Sequence, residues 1–214
     1  MMRGDKAMTE QTCKQFLEAI GSSAPTPGGG GVSAYAGAMG IALGSMVGNL
    51  TLGKKKYADV QVDVERLTAE AQDLMTKLAA MVQQDAECFT PLVQAYKLPK
   101  TMEAAQRDAI LEQALVGACS VPLAIMKTSL RALEVHRELA SKGNTMAISD
   151  VGAGVQFLRA AILGASLNIY INARLMKNRT EADRMIQEVE QIIADGSQLA
   201  NQIFDQVKAS LVRK

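Results

Sequence analysis

From Val32 to Gly53 the chain carries no charged side chain, and this run is bracketed by a Pro/Gly loop and a lysine cluster. Pro25-Thr26-Pro27 leads into Gly28, Gly29, Gly30 and Gly31, and Lys54-Lys55-Lys56-Tyr57 closes the segment. The prolines restrict the approach and bias Ala24 and Thr26 away from helical geometry. The run is long enough to cross a bilayer, and Gly40, Gly44 and Gly48 form overlapping GxxxG pairs. It is rich in Gly, Ala and Ser, however, and ends in Asn49 and Thr51. Leu, Ile, Val and Met are too few for a spanning helix. The expectation is a helix starting near Val32 and buried on nearly all sides of a soluble bundle. Its first N–H groups would lack partners and carry the positive end of the dipole. The glycines therefore either turn the chain or cradle an anionic or carbonyl-rich ligand.

Periodicity elsewhere is helical, with no useful strand alternation. A first helix is expected from Thr9 to Ile20, after a ragged terminus over residues 1–8. A third begins near Tyr57 and reaches Thr90 or beyond. Val60, Val64, Leu67, Ala71, Leu74, Leu78 and Met81 form its seam. The next seam position is Asp85, which either lies near an exposed end or belongs to a polar site, because an unpaired carboxylate in an apolar stripe is costly. A fourth helix spans Met102 to Ala140, kinked or divided at Pro122. His136, among Glu134, Arg137 and Glu138, reads as a surface histidine. Ser149 is placed to cap a fifth helix with Asp150 in its first turn, where the dipole favours its charge. Asn168 and Asn172 share a face one turn apart, bonding either to a neighbouring helix or into a cavity. Thr180-Glu181-Ala182-Asp183 resembles a capping box opening the last helix, whose basic end includes Lys208, Arg213 and Lys214. The expected fold is all-α: residues 1–214 as a single domain of about six helices, several long, around the buried Gly/Ala-rich helix.

Composition narrows the function. A net charge of +1 gives no support to a nucleic-acid or anionic-membrane partner, and 4% aromatics with no Trp argues against RNA stacking. Cys13, Cys88, Cys119 and His136 have no metal-ligand spacing, so no zinc site is expected. Isolated cysteines suggest reduced thiols and a cytoplasmic setting, and Met1 to Lys14 lacks the apolar core of a signal peptide.

Several motifs together resemble a known family. They are Ser23-Ala24-Pro25-Thr26-Pro27-Gly28-Gly29-Gly30, Gly37-Ala38, and Met46 through Tyr57. Further matches are Asp85-Ala86, Leu98-Pro99-Lys100, Asn144, Ile148-Ser149-Asp150-Val151-Gly152 and Leu167 through Asn172. The likeness is to the cyclodeaminase/cyclohydrolase enzymes of folate metabolism, the C-terminal domain of formiminotransferase-cyclodeaminase, also found as stand-alone bacterial proteins. It covers roughly residues 10–180. One departure is Gly31, where the family usually has serine. The resemblance implies an all-helical homodimer or larger assembly acting on a tetrahydrofolate. One implied reaction is cyclisation of 5-formimidoyltetrahydrofolate to 5,10-methenyltetrahydrofolate with loss of ammonia, a lyase activity placed first. The alternative is interconversion of 5,10-methenyl- and 10-formyl-tetrahydrofolate by water, a hydrolase activity. Both need a proton acceptor and donor, and neither needs a metal or redox cofactor. In this reading Asp150 is the acid/base candidate. Lys54, Lys55 and Lys56 either hold glutamate-tail carboxylates or form a solvated helix end. Gly28, Gly29 and Gly30 offer backbone donors, and Asp85, Asn168 and Asn172 line the cavity. A reading of another class is a non-catalytic helical oligomerisation module built on the Val60–Met81 seam.

Overall fold

A computed structural model describes residues 8–212, and among these every regular element is helical. Six α-helices follow one another: α1 Cys13–Ile20, α2 Gly29–Thr51, α3 Gln61–Tyr96, α4 Ala104–Lys142, α5 Ile148–Leu175 and α6 Arg179–Val212. Single turns of 3-10 helix cover Met8–Glu10 and Thr145–Ala147, and a longer one covers Lys55–Val60. Residues 1–7 of the expected ragged terminus, and Arg213 and Lys214, lie outside the described residues.

Helix α2 is the centre. Thirteen of its residues are buried, seven of them being Gly30, Gly31, Ser33, Gly37, Gly40, Gly44 and Gly48. These small residues set the distance between backbones. A methyl on Gly40 would stand 2.8 Å from the Gly154 carbonyl of α5, one on Gly37 3.3 Å from Ala161, and one on Gly48 would overlap Thr68 of α3. The pairings run in opposite sequence order, so α2 is antiparallel to both α3 and α5. Helix α4 covers the remaining inner side through Ser129 and His136. By length and composition Gly29–Thr51, Ala104–Lys142 and Thr145–Leu175 could each cross a membrane. Here α2 is packed against α3, α4 and α5.

Several expectations are corrected by tertiary contacts. Helix α1 begins later than Thr9, because Thr12 and Gln15 form the capping box. The glycine run is itself the first turn of α2, with Gly28 as N-cap. Residue 31 is thus the third helical position rather than a cap. The Cβ of a serine there would meet the Val82 carbonyl at 3.4 Å, Pro27 Cβ at 3.6 Å and Val82 Cγ1 at 3.8 Å, all ordinary contacts. Gly31→Ser is expected to leave turnover unchanged and to stabilise by about 0.5 kcal/mol through a less flexible unfolded chain, read by urea denaturation. The α3 seam continues after Leu78 through buried Val82 rather than the partly buried Met81, and its next position is Asp85. Pro122 lies inside a continuous α4, and Pro91 inside α3. Ser149 does not cap α5; Asn144 accepts from the Met146 N–H and starts the 3-10 turn that runs into it. Asn178, not Thr180, caps α6 by accepting from the Glu181 N–H. His136 is not on the surface but completely buried. It sits in the space that Gly44 and Gly154 leave open.

Candidate functional site

A cavity of about 230 Å³ opens where α2 begins. Its floor is the glycine turn of α2, and its walls are Asp85, Cys88 and Phe89 of α3, Ala118 and Pro122 of α4, and Asn168 and Asn172 of α5. Six predicted residues meet here: Gly28, Gly29, Gly30, Asp85, Asn168 and Asn172. Sequence reasoning missed Pro122, although a proline inside a helix was a visible signal. Proline has no N–H to give the Ala118 carbonyl one turn back, so a free backbone acceptor stands beside the cavity.

Asp85 is the only charged residue in this lining. Its carboxylate lies directly over Gly30, where a methyl group would overlap it. Burial raises its pKa above the ordinary aspartate value, and the Gly31 backbone N–H draws it partly back. The α2 N-terminus has no side-chain cap of its own, so this carboxylate from α3 takes that place. Asn168 donates Nδ2 to the Gly164 carbonyl at 3.2 Å, within its own helix. Asn172 is buried beside Cys119. Burial, followed by the nearby Asp85 charge, pushes the Cys88 thiol up to about 11, and burial pushes Cys119 up to about 11. Both stay protonated at neutral pH and are poor nucleophiles.

The remaining predicted residues lie elsewhere. Lys54, Lys55 and Lys56 are exposed at the far end of α2. Tyr57 anchors this end: its hydroxyl accepts from the Thr145 N–H at 3.0 Å, and Lys56 Nζ lies 5.3 Å over its ring. Lys56 Nζ also reaches Thr145 Oγ1 at 3.4 Å. Asp150 is in the first turn of α5, five residues beyond Thr145, and does not line the cavity. At 1.5 Å per residue, Asp150 stands about 27 Å along α5 from Asn168. The candidate residues therefore form two groups at opposite ends of the bundle.

The other concavities offer less. A groove of about 500 Å³ between α4 and α6 contains Lys127, Arg131 and Glu134. These pair with Glu188, Glu70 and Arg137. Among the described residues no three His, Cys, Asp or Glu side chains gather in a way that could hold a metal ion.

Comparison with known proteins finds relatives along nearly the whole chain. The sequence profile of a family described as formiminotransferase-cyclodeaminase matches residues 12–191. A methenyltetrahydrofolate cyclohydrolase of Methylorubrum extorquens is 39% identical over 203 residues, covering 94% of this chain and 98% of that protein. A formimidoyltransferase-cyclodeaminase of Gallus gallus is 30% identical across 96% of this chain, which spans only 39% of that longer protein. The solved structure of a formiminotetrahydrofolate cyclodeaminase from Thermotoga maritima superposes with a TM-score of 0.87 at 27% identity, covering 95% of this chain and 98% of that one.

Proposed function

We infer, from the premise that this chain belongs to the formiminotransferase-cyclodeaminase family, that it is a folate one-carbon enzyme acting on the carbon held between N5 and N10 of tetrahydrofolate. The observation that carries the reading is Asp85. It is a partly buried carboxylate with a raised pKa, set over the open N-terminal turn of α2 and facing two asparagines across a cavity. Such a group holds its proton more readily than an ordinary aspartate, as a residue that serves as both acid and base requires.

Two reactions use the same machinery. In the first, water attacks the amidinium carbon of 5,10-methenyltetrahydrofolate. Asp85 takes one water proton, the bond from that carbon to N5 breaks, N5 keeps its electron pair and receives that proton, the second water proton goes to solvent as the formyl C=O forms, and 10-formyltetrahydrofolate leaves. In the second, N10 of 5-formimidoyltetrahydrofolate attacks the formimidoyl carbon. The formimidoyl nitrogen reacts in its protonated, amidinium form; Asp85 takes the N10 proton and passes it to that nitrogen, the bond from the carbon to it breaks, ammonia leaves and the methenyl cation remains. Neither sequence of steps calls for a metal or a redox cofactor. The cyclohydrolase reading comes first, because the stand-alone relative bearing that name is 39% identical over nearly its whole length. The cyclodeaminase reading is favoured by the Thermotoga structure. Asn168 and Asn172 orient the pterin by hydrogen bonding, and the free amides of the Gly28–Gly30 turn face its carbonyl. Three isolated free cysteines and a balanced charge suit a cytoplasmic homodimer without a nucleic-acid partner.

Gly30→Ala probes the placement of Asp85. A methyl at residue 30 would displace the carboxylate. Turnover is expected to fall about 10²-fold with the thermal melt unchanged, since a misplaced group can cost that much. The decisive assay gives the purified protein the two folates in parallel. Loss of methenyl absorbance above the uncatalysed rate identifies the cyclohydrolase. Formation of that absorbance from the formimidoyl substrate, with matching ammonia, identifies the cyclodeaminase. Silence with both, from folded protein, would leave the oligomerisation module as the better reading.

A further inference from the structure

Opposite the glycine turn, the wall of the cavity is made of hydrogen-bond acceptors. Asn168 spends one N–H on the Gly164 carbonyl at 3.2 Å, and among the described residues nothing donates to its Oδ1. Both lone pairs of that oxygen stay free. The Asn172 side chain is placed to donate to the buried Cys119 sulfur, so its Oδ1 is left in the same way. A third acceptor is the Ala118 carbonyl, which Pro122 deprives of its N–H. Asp85 adds the only charge in the lining, and no Lys, Arg or His is present there. The start of α2 brings about half a positive charge, and the ionised carboxylate over it a full negative one. The balance at this end of the bundle is therefore negative.

Part-buried acceptors are costly unless a ligand brings them donors or positive charge. The folates on either side of the hydrolysis differ in that respect. The methenyl form carries a positive charge spread over N5, the bridging carbon and N10. The formyl form is neutral there and presents a carbonyl oxygen, one more acceptor against a wall of acceptors. We propose that Asn168, Asn172 and the Ala118 carbonyl act with Asp85 to select the ligand by charge, so that the cavity holds the planar methenyl cation in preference to the neutral formyl folate. This rests on the folate reading above and adds what the two amides discriminate. Hydrolysis turns the cation and water into the formyl folate and one proton. The charge departs with that proton, and the product is held less tightly than the substrate. The protonated formimidoyl group is a cation of the same kind, so the same wall suits either reaction.

The test reads the equilibrium between 5,10-methenyl- and 10-formyl-tetrahydrofolate from the methenyl absorbance. The pH is fixed where the two are equally populated in buffer. Trace protein leaves that ratio as it is, whereas protein in excess over folate moves it toward the form bound more tightly. Equilibrium is reached by catalysis or, without it, by standing. Excess wild-type protein is expected to raise the methenyl share from half to about nine-tenths, which is about a tenfold preference.

Two variants of one residue then move the preference in opposite directions. Asn168→Leu is close in size and removes the acceptor; it is expected to lower the preference about threefold. Asn168→Asp keeps an acceptor and adds negative charge; it is expected to raise the preference about threefold. Both lose the bond to Gly164, so that loss cancels between them. Thermal melts confirm that each is folded, and if Asn168→Leu is not, the direction taken by Asn168→Asp decides. A purely structural Asn168 would weaken both folates alike, and a ratio fixed at the wild-type value in both variants would overturn the proposal. So would excess wild-type protein that leaves the equilibrium unmoved or moves it toward the formyl form, although turnover in that same protein would leave the folate chemistry standing. Ultrafiltration with each folate separates the last case. Wild-type protein that neither binds nor converts either one overturns the folate reading and the charge selection together.

Discussion

Asp85→Asn is expected to lower kcat by about 10²–10⁴-fold, the range for removing a general acid or base, without lowering stability. Burial raises the folded-state pKa of Asp85, so the folded protein binds its proton more readily than the unfolded chain does. As pH rises through that raised value, the charged carboxylate weakens the fold. At neutral pH asparagine removes a charge that burial disfavours, and the melting temperature should equal or exceed that of the parent. Activity lost while stability is held marks a group kept for chemistry rather than packing. The pH profile adds a second readout. The acidic limb of kcat/KM in the parent should titrate above the ordinary aspartate range, and it should vanish from the residual activity of Asp85→Asn. An Asn variant that melts well below the parent, or keeps the parent's rate, would show that Asp85 is only a cap for α2.

That assignment was partly legible in the sequence. Asp85 stood out because it follows the seam Leu74, Leu78 and Met81, and Asn168 and Asn172 because they interrupt an apolar helix. Their meeting with the glycine turn was not legible, because it depends on which ends of the helices coincide. Helices α2 to α5 are joined by short connections and alternate in direction. The start of α2, the later part of α3 and the end of α5 therefore share one end of the bundle. Lys54–Lys56 and Asp150 fall at the other. Motif matching grouped them all into one site, since a motif says nothing about direction. The caps of α5 and α6 were misplaced by five and two residues. Asn144 holds the Met146 N–H ahead of α5 and Asn178 the Glu181 N–H in the first turn of α6, and several nearby polar residues could have filled either role.

His136 was hidden differently. Its neighbours in sequence, Glu134, Arg137 and Glu138, are charged, but its neighbours along the helix are not. Ala132, Leu133, Val135 and Leu139 are all buried, and His136 lies on the same face. Nδ1 stands 3.0 Å from the Ala132 carbonyl, which fixes the proton there. Nε2 is buried and makes no hydrogen bond in the neutral ring; the Ala132 and Gly40 carbonyls favour the protonated ring but only partly offset the cost of burying its charge. Burial lowers the pKa from 6.5 to about 4. Between pH 6.5 and 4 the unfolded chain takes up a proton that the folded chain refuses, so stability falls with falling pH. The full loss is about 3 kcal/mol, since each tenfold change in proton affinity is worth about 1.4 kcal/mol. That is a large fraction of a typical domain's stability. No other histidine is present to share the effect. Asp85 works in the opposite sense but is common to parent and variant, so it cancels in their difference. Urea denaturation at pH 7, 6 and 5 should show the parent losing stability at up to about 1.4 kcal/mol per pH unit. His136→Gln, which keeps a donor for Ala132 and cannot titrate, should be less stable than the parent at pH 7 and should lose most of that slope. Parallel slopes in the two proteins would mean that acid sensitivity arises elsewhere. In that case His136 would contribute only its shape to the crossing of α2, α4 and α5.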